Sequence, residues 1–312
     1  MRRWLAMGAL ASAAALWGLM YVLSRLALQT VPALPLVLMR VVISLVCLAP
    51  FAVRERFWRV TPRQLGRLAL IGLTGYTCSL SLQFIGTSLT SASLGSLITS
   101  AAPAFIVLFA ALGGERPTVR ATLALGLALI GVALIVGVDV PAGVSLAGIL
   151  ALVGAAISWA LYTVLGRGLA RELPLLTTLF WGLILGGLAL APFAAPQWPS
   201  LDKMRHYSPA LWLEILYLGA IAMALAFYLW NYGFAHLPSD VGAVFGLFQP
   251  LVGVALGVAW LGERLTPLGV VGALGIVAGA TLAGMGASRA RPGDAQPATH
   301  EDVISQRIDS AP

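Results

Sequence analysis

Arg40 and Glu214 carry charge inside runs that are otherwise apolar, LPLVLMRVVISLVCLAP at residues 34–50 and PALWLEILYLGAIAMALAF at 209–227. A guanidinium in such surroundings presents a planar fork of donors that fits a carboxylate, so its chemistry is anion binding or pairing with an acid. The alternative is a stem that snorkels the charge to a polar boundary. Glu214 offers proton carriage, an ion pair with Arg40 that would act as an outer gate, or a solvated carboxylate at that boundary. Arg25 is nearer the end of its own apolar run, where snorkelling is the expected behaviour.

Rings and weak hydrogen-bonders are spaced around these charges at helical intervals. Trp17, Tyr21 and Ser24 share one face, as do Tyr76, Ser79 and Gln83, and as do Glu214, Tyr217, Ala224, Tyr228 and Asn231. Each stripe is either interhelical packing or the wall of a shared cavity. Trp159 repeats the Trp17 context, and Gln249 adds an amide beside Pro250. The expected binding set is therefore Arg40, Trp17, Tyr21, Tyr76, Gln83, Trp159, Tyr228, Asn231 and Gln249. Glu214, Pro103 and Pro250 are expected to gate or couple, because a proline inside a helix frees carbonyls that lipid cannot satisfy. A packing kink is the plainer role for both prolines.

The residue types exclude other chemistry. His206, His236 and His300 fall in loops or the tail, no two acids share a run, and Cys47 and Cys78 lie inside apolar runs. Neither a nucleophile–base pair nor a metal cluster can be assembled, so no enzyme, no metal and no cofactor is expected.

The elements that must position these groups follow from composition. The chain has 312 residues, of which 59% are hydrophobic and only 10% charged, with a mean hydropathy of +0.92. A soluble domain carries roughly a quarter charged residues, so this is an integral membrane protein. The net charge of +7 is scattered between apolar segments and forms no stripe for nucleic acid. The expected partners are the lipid bilayer and a small-molecule substrate, and the sequence is silent on oligomeric state.

Ten runs have the length of a membrane span: 4–28, 35–53, 68–86, 92–112, 121–138, 146–166, 175–195, 210–233, 241–261 and 268–287. The start MRRWLAMGALASAAALWG resembles a signal peptide, but its apolar run continues to Leu28 and reads as the first span. Of the 19 Lys and Arg, 14 fall on the N-terminal side of an alternating ten-span topology. Only Lys203, Arg205 and Arg264 fall on the other, with Arg25 and Arg40 inside spans. Both termini are therefore expected in the cytoplasm.

The halves repeat. LGGERPT ends one run and LGERLTP another, with Glu115 and Glu263 separated by 148 positions, as are Gln83 and Asn231. ALWGLMYVLSRLAL around Trp17 echoes ISWALYTVLGRGLA around Trp159. Five spans per half force the second copy to enter the membrane upside down. The expected fold is an all-α integral membrane protein of ten transmembrane helices in two inverted five-helix repeats. The first repeat is residues 1–140, the second 141–287, and 288–312 form a disordered cytoplasmic tail. Glu115 and Glu263, each beside an arginine, read as local ion pairs or hairpin locks. The GxxxG pairs at 182/186, 242/246, 253/257 and 275/279 read as close helix contacts.

These residues resemble the EamA-type transporters of the drug/metabolite transporter superfamily. The likeness rests on Trp17, Arg40, Pro103 before GGERPT, and NYGFAHLPSD leading to Pro250 and LGERLTP, and it covers residues 4–287. Gly113 departs from it, standing where the family usually has a bulkier residue. The resemblance implies a bacterial inner-membrane exporter of amino acids or other small metabolites. A cation-drug exporter would normally hold a central acid, and the first span has none. Two intramembrane arginines against one glutamate favour zwitterionic or anionic solutes over lipophilic cations. A multidrug exporter and, further off, a channel are the alternatives.

Overall fold

The computed structural model describes residues 2–112, 119–137, 144–169, 172–236, 245–246 and 248–287. Every described regular element is helical. The chain runs through α1 (Arg2–Ala27), α2 (Ala33–Arg54), α3 (Pro62–Leu89), α4 (Ala92–Thr99), α5 (Ala102–Leu112) and α6 (Val119–Gly137). It continues through α7 (Leu146–Leu169), α8 (Leu175–Ala194), the short α9 (Leu201–Arg205), α10 (Pro209–Gly233), α11 (Phe248–Leu261) and α12 (Pro267–Ala287). Among the described residues, six helices are long and apolar enough to cross a membrane: Arg3–Ala27, Ala33–Arg54, Pro62–Leu89, Leu146–Gly166, Leu175–Gln197 and Pro209–Gly233. The fourth, fifth, ninth and tenth apolar runs of the sequence contain shorter apolar helical stretches, Ala92–Ile106 (interrupted at Ser100–Ala101), Thr122–Gly131, Phe248–Leu261 and Pro267–Gly279.

Local chemistry sets the helix starts. Thr61 accepts from the Gln64 backbone N–H while Gln64 accepts from the Thr61 N–H, a capping box with Pro62 at the first helical position. This cap starts α3 six residues before the expected 68–86 span and turns part of the basic segment helical. Ser91, Ser200 and Ser208 cap α4, α9 and α10 in the simpler way, each hydroxyl accepting one backbone N–H.

Two features were not anticipated. Residues Gly72–Ser79 of α3 and Tyr217–Leu225 of α10 are π-helical, each widened by an extra residue in the turn. The fourth apolar run is not one helix: α4 ends at Thr99, and α5 begins at Ala102, immediately before Pro103. Proline cannot accept the preceding helix's register but suits the first turn of a new one, so the break falls where its missing donor is not needed.

Small residues let the helices approach. A Cβ on Gly72 would meet the Gly182 carbonyl oxygen and the Gly186 nitrogen, each at 2.9 Å. A Cβ on Gly131 would meet the Gly272 oxygen at 2.5 Å, and one on Gly279 the Ala124 oxygen at 2.6 Å. The central hydrophobic core gathers Tyr21, Leu36, Val37, Tyr76, Phe84, Leu183 and Met223, and so joins α1, α2, α3, α8 and α10. Lipid-side packing gains little from hydrophobicity alone, so backbone proximity of this kind is what holds such a bundle.

Candidate functional site

Arg40 lies in α2 where that helix crosses the π-helical part of α10. The crossing is close because Gly219 has no side chain: a Cβ there would meet Ile43 Cβ at 2.6 Å and the Arg40 oxygen at 3.0 Å. Ser44 uses the gap, donating its hydroxyl to the Gly219 carbonyl at 2.7 Å. The arginine side chain turns inward and is 1% exposed. Its guanidinium carbon sits 5.0 Å from the centre of the Phe84 ring on α3, and Tyr21 of α1 is near enough to interact with its charge. Nε and Nη1 have no hydrogen-bond partner, and among the described residues no acid pairs with the group. The Phe84 face offsets part of the desolvation, on the order of 1–2 kcal/mol. It satisfies no N–H. A fully buried cation with open donors is complete only when an anion or water enters.

A wall of rings crosses the same interior. Trp17 of α1 packs edge-on against Phe227 at 5.3 Å, Phe227 reaches Trp159 at 6.0 Å, Trp159 meets Tyr162 at 4.9 Å, and Tyr162 meets Tyr76 at 5.6 Å. The chain of contacts links α1, α10, α7 and α3. Hydrogen bonds fix its ends. Trp17 Nε1 donates to the Ala222 oxygen at 2.8 Å inside the π-helical stretch, and the Tyr76 and Tyr162 hydroxyls share a bond of 3.1 Å.

Between the charge and the break in the fourth run lies a polar cluster. The Tyr21 hydroxyl shares a hydrogen bond with Thr99 Oγ1 and accepts one from Gln249 Nε2 at 3.4 Å. Thr99 is the last residue of α4, and Gln249 precedes Pro250 in the first turn of α11. Pro250 thus sits in the first turn of a helix whose beginning reaches this cluster, and Pro103 in the first turn of the helix that follows Thr99 in the chain.

Comparison with known proteins bears on the whole chain. The model of the EamA-like transporter family matches residues 4–137 and again residues 146–285. The chain belongs to the EamA-like transporter family. Relatives include an uncharacterized transporter of Archaeoglobus fulgidus, 27% identical over 62% of this chain and 67% of that protein. The uncharacterized transporter YetK of Bacillus subtilis is 27% identical over 95% of this chain and 90% of its own length. A crystal structure of a protein 21% identical superposes with a TM-score of 0.63, over 93% of this chain and 99% of the other. That likeness establishes a shared fold. The chain is a multi-pass membrane transporter.

Within this EamA transporter, Arg40, Tyr21, Tyr76, Trp17, Trp159 and Gln249 come together in one interior. The remaining sequence candidates are placed differently. Gln83 is buried on α3, and its amide makes no hydrogen bond to a described residue. Asn231 donates to the Phe227 carbonyl of its own helix at 2.7 Å. Tyr228 is 53% exposed and stacks on Tyr232. Glu214 does not meet Arg40: it lines a surface cavity of about 340 Å³ with Gln29, Thr30, His206, Tyr207 and Ser208. Arg25 donates to the Thr87 and Ser88 carbonyls at the C-terminal end of α3, which lack helical partners.

Glu263 is not paired with its neighbour Arg264. Its carboxylate accepts from the backbone N–H groups of Ala92 and Ser93 at the start of α4. Glu115 lies outside the described residues. Tyr162, Phe227, Phe84 and Thr99 were missed by sequence reasoning. Tyr162 stood in the quoted echo of the Trp17 segment, three residues after Trp159, and was the one with a visible signal.

Proposed function

We propose that this transporter exports amino acids or similar small zwitterionic metabolites across the bacterial inner membrane. It works by alternating access between two inverted five-helix repeats, residues 1–140 and 141–287, with ten spans and both termini cytoplasmic. The repeated family match at 4–137 and 146–285 and the π-helical stretches in α3 and α10 support the two-repeat reading. Three things are expected of a binding site for such a solute, and each has a candidate here. Arg40 supplies the charge for a carboxylate, the ring wall supplies a surface for an apolar body or an ammonium group, and Tyr21 and Gln249 supply hydrogen bonds between the halves.

The single observation that carries the reading is the buried guanidinium with Nε and Nη1 unpartnered. An intramembrane arginine costs at least about 2.5 kcal/mol, and no described acid offsets it. A substrate carboxylate would. In cells challenged with toxic amino acids or analogues, overexpression is expected to confer resistance. Arg40→Lys keeps a charge but loses the fork and retains part of that resistance. Arg40→Leu loses it at normal membrane levels, by about 10–100-fold in efflux rate at low substrate, the worth of a charge-assisted hydrogen bond or two. Rings can also hold lipophilic cations, so cationic dyes belong in the same efflux panel. Export of dyes alone, unchanged in Arg40→Leu, leaves a multidrug carrier in place of this reading.

A further inference from the structure

Glu263 follows Gly262, whose φ of +64° turns the chain back beneath the last turn of α11. The backbone N–H of Glu263 then donates to the Gly257 oxygen at 3.2 Å. Its side chain crosses to the far family match: Oε1 accepts from Ala92 N at 2.7 Å and Oε2 from Ser93 N at 2.8 Å. Both carboxylate oxygens are thus bound to consecutive donors at the positive end of a helix, the arrangement that a carboxylate prefers. Ser91 already caps α4 conventionally, accepting from Leu94 N at 3.2 Å. The glutamate therefore adds a bond between elements 170 residues apart rather than a missing cap.

The seam below it is built to close tightly. A Cβ on Gly257 would meet Ser93 Oγ at 2.5 Å and Glu263 Oε2 at 2.6 Å, and one on Gly253 would meet Ser96 Cβ at 2.5 Å. Bare α11 backbone faces two serines of α4. The same seam ends at Gln249, Tyr21 and Thr99, beside Arg40. At its other end α4 passes into α5 through two turn residues, Ser100 and Ala101, where the regular helical pattern is interrupted. Glu263 is only half-buried. On separation, water can replace each partner in its two bonds, which makes this contact releasable.

We propose that Glu263 is a positioning residue of the transport cycle: its carboxylate latches α4 of the first half to α11 of the second and holds the pathway to Arg40 closed from the extracytoplasmic side. The proposal rests on the transporter reading but not on the substrate. Its test contains no substrate, so its failure is distinct from failure of the Arg40 efflux result.

The experiment uses the full chain with Cys47→Ala and Cys78→Ala, and a single reporter, Ser100→Cys, at the break in the fourth run. A membrane-impermeant maleimide is applied to intact cells and, separately, to inverted vesicles. Glu263→Ala is expected to speed labelling from outside by about tenfold or more, as loss of two charge-assisted bonds implies, with no gain from inside. Glu263→Gln keeps one acceptor and falls between. Unchanged labelling in both variants overturns the latch, as does a lower unfolding temperature without a change in accessibility. Equal acceleration from both sides means general loosening and overturns it too, and so does acceleration from inside alone. If Glu263→Ala fails to insert, Glu263→Gln decides by the same readings.

Discussion

Arg67 and Glu172 join the start of α3 to the turn before α8. Arg67 Nη1 donates to Glu172 Oε1, and Gln64 Nε2 lies 3.5 Å from the other oxygen. The hydrogen bond from Arg67 holds the Glu172 carboxyl below the ordinary carboxylate range. A depressed folded value means the stabilisation is full above the unfolded value, about 4.3, and is lost as pH falls through the folded one. Glu172→Gln is therefore expected to lower the unfolding temperature slightly at pH 7, and less at high salt, because the pair is exposed and screened. The difference from wild type shrinks below about pH 4 and disappears in stronger acid. Thermal scans of detergent-solubilised protein at pH 7, 5 and 3 check this, and a difference constant with pH would contradict it. Pairs of this sort leave no trace in sequence, since Arg67 and Glu172 belong to different runs with many equivalent charges nearby. Arg40 was legible for the opposite reason: one charge in a run of aliphatic residues has few explanations. Glu263 was legible as a position but not as a bond, because its partners are backbone groups that carry no residue identity.

Helix contacts divide between those that need a bare backbone and those that do not. Gly72 is packed against Gly182 and Gly186 backbone atoms, which cannot rotate away. Gly8, exposed on α1, has nothing within 4 Å of where its Cβ would be. Gly72→Ala is expected to destabilise by about 1–3 kcal/mol through overpacking. Gly8→Ala is expected to stabilise by about 0.5–1 kcal/mol, because alanine loses less backbone entropy in a helix. Unfolding of the two variants side by side is the measurement, and equal shifts would remove the distinction. The GxxxG pairs at 182/186, 253/257 and 275/279 announced close contacts, but only one side of each. Their partners are Gly72 and Tyr76, the serines of α4, and Gly131 with its neighbours on α6. The π-helical stretches of α3 and α10 contain no proline, and their glycines Gly72, Gly75 and Gly219 look like the many others in the apolar runs. An inserted residue in a helix is set by what packs on it, here Tyr162 over Gly75 and Ile43 against Gly219, and long-range packing is not encoded in local pattern.

At the scale of the molecule, contacts sort the loops into two ends before any membrane is invoked. Ser145 N donates to the Leu89 oxygen, so the start of α7 lies beside the end of α3. Arg25 binds the Thr87 and Ser88 carbonyls there, and Glu263 meets Ala92 at the same end. The segment bearing His206 and Tyr207 shares a cavity with Leu26, Gln29 and Thr30 at the close of α1, which adds Ser200 to this group. The opposite end holds Thr61, Arg67, Glu172 and the bond from Thr177 N to Glu55. Relative sidedness is thus geometric, and the arginine count alone decides which end is cytoplasmic. On the orientation proposed above, which rests on that count, the Thr61 end is cytoplasmic. Single cysteines at Ser145 and Ser200 are then expected to react with an impermeant maleimide in intact cells, while one at Thr61 reacts only after permeabilisation. Thr61 reacting in intact cells with Ser200 silent would reverse the orientation and put the Glu263 latch on the cytoplasmic side. All three reacting would mean that an even number of crossings separates α3 from α9, and the ten-span arrangement would fall with it.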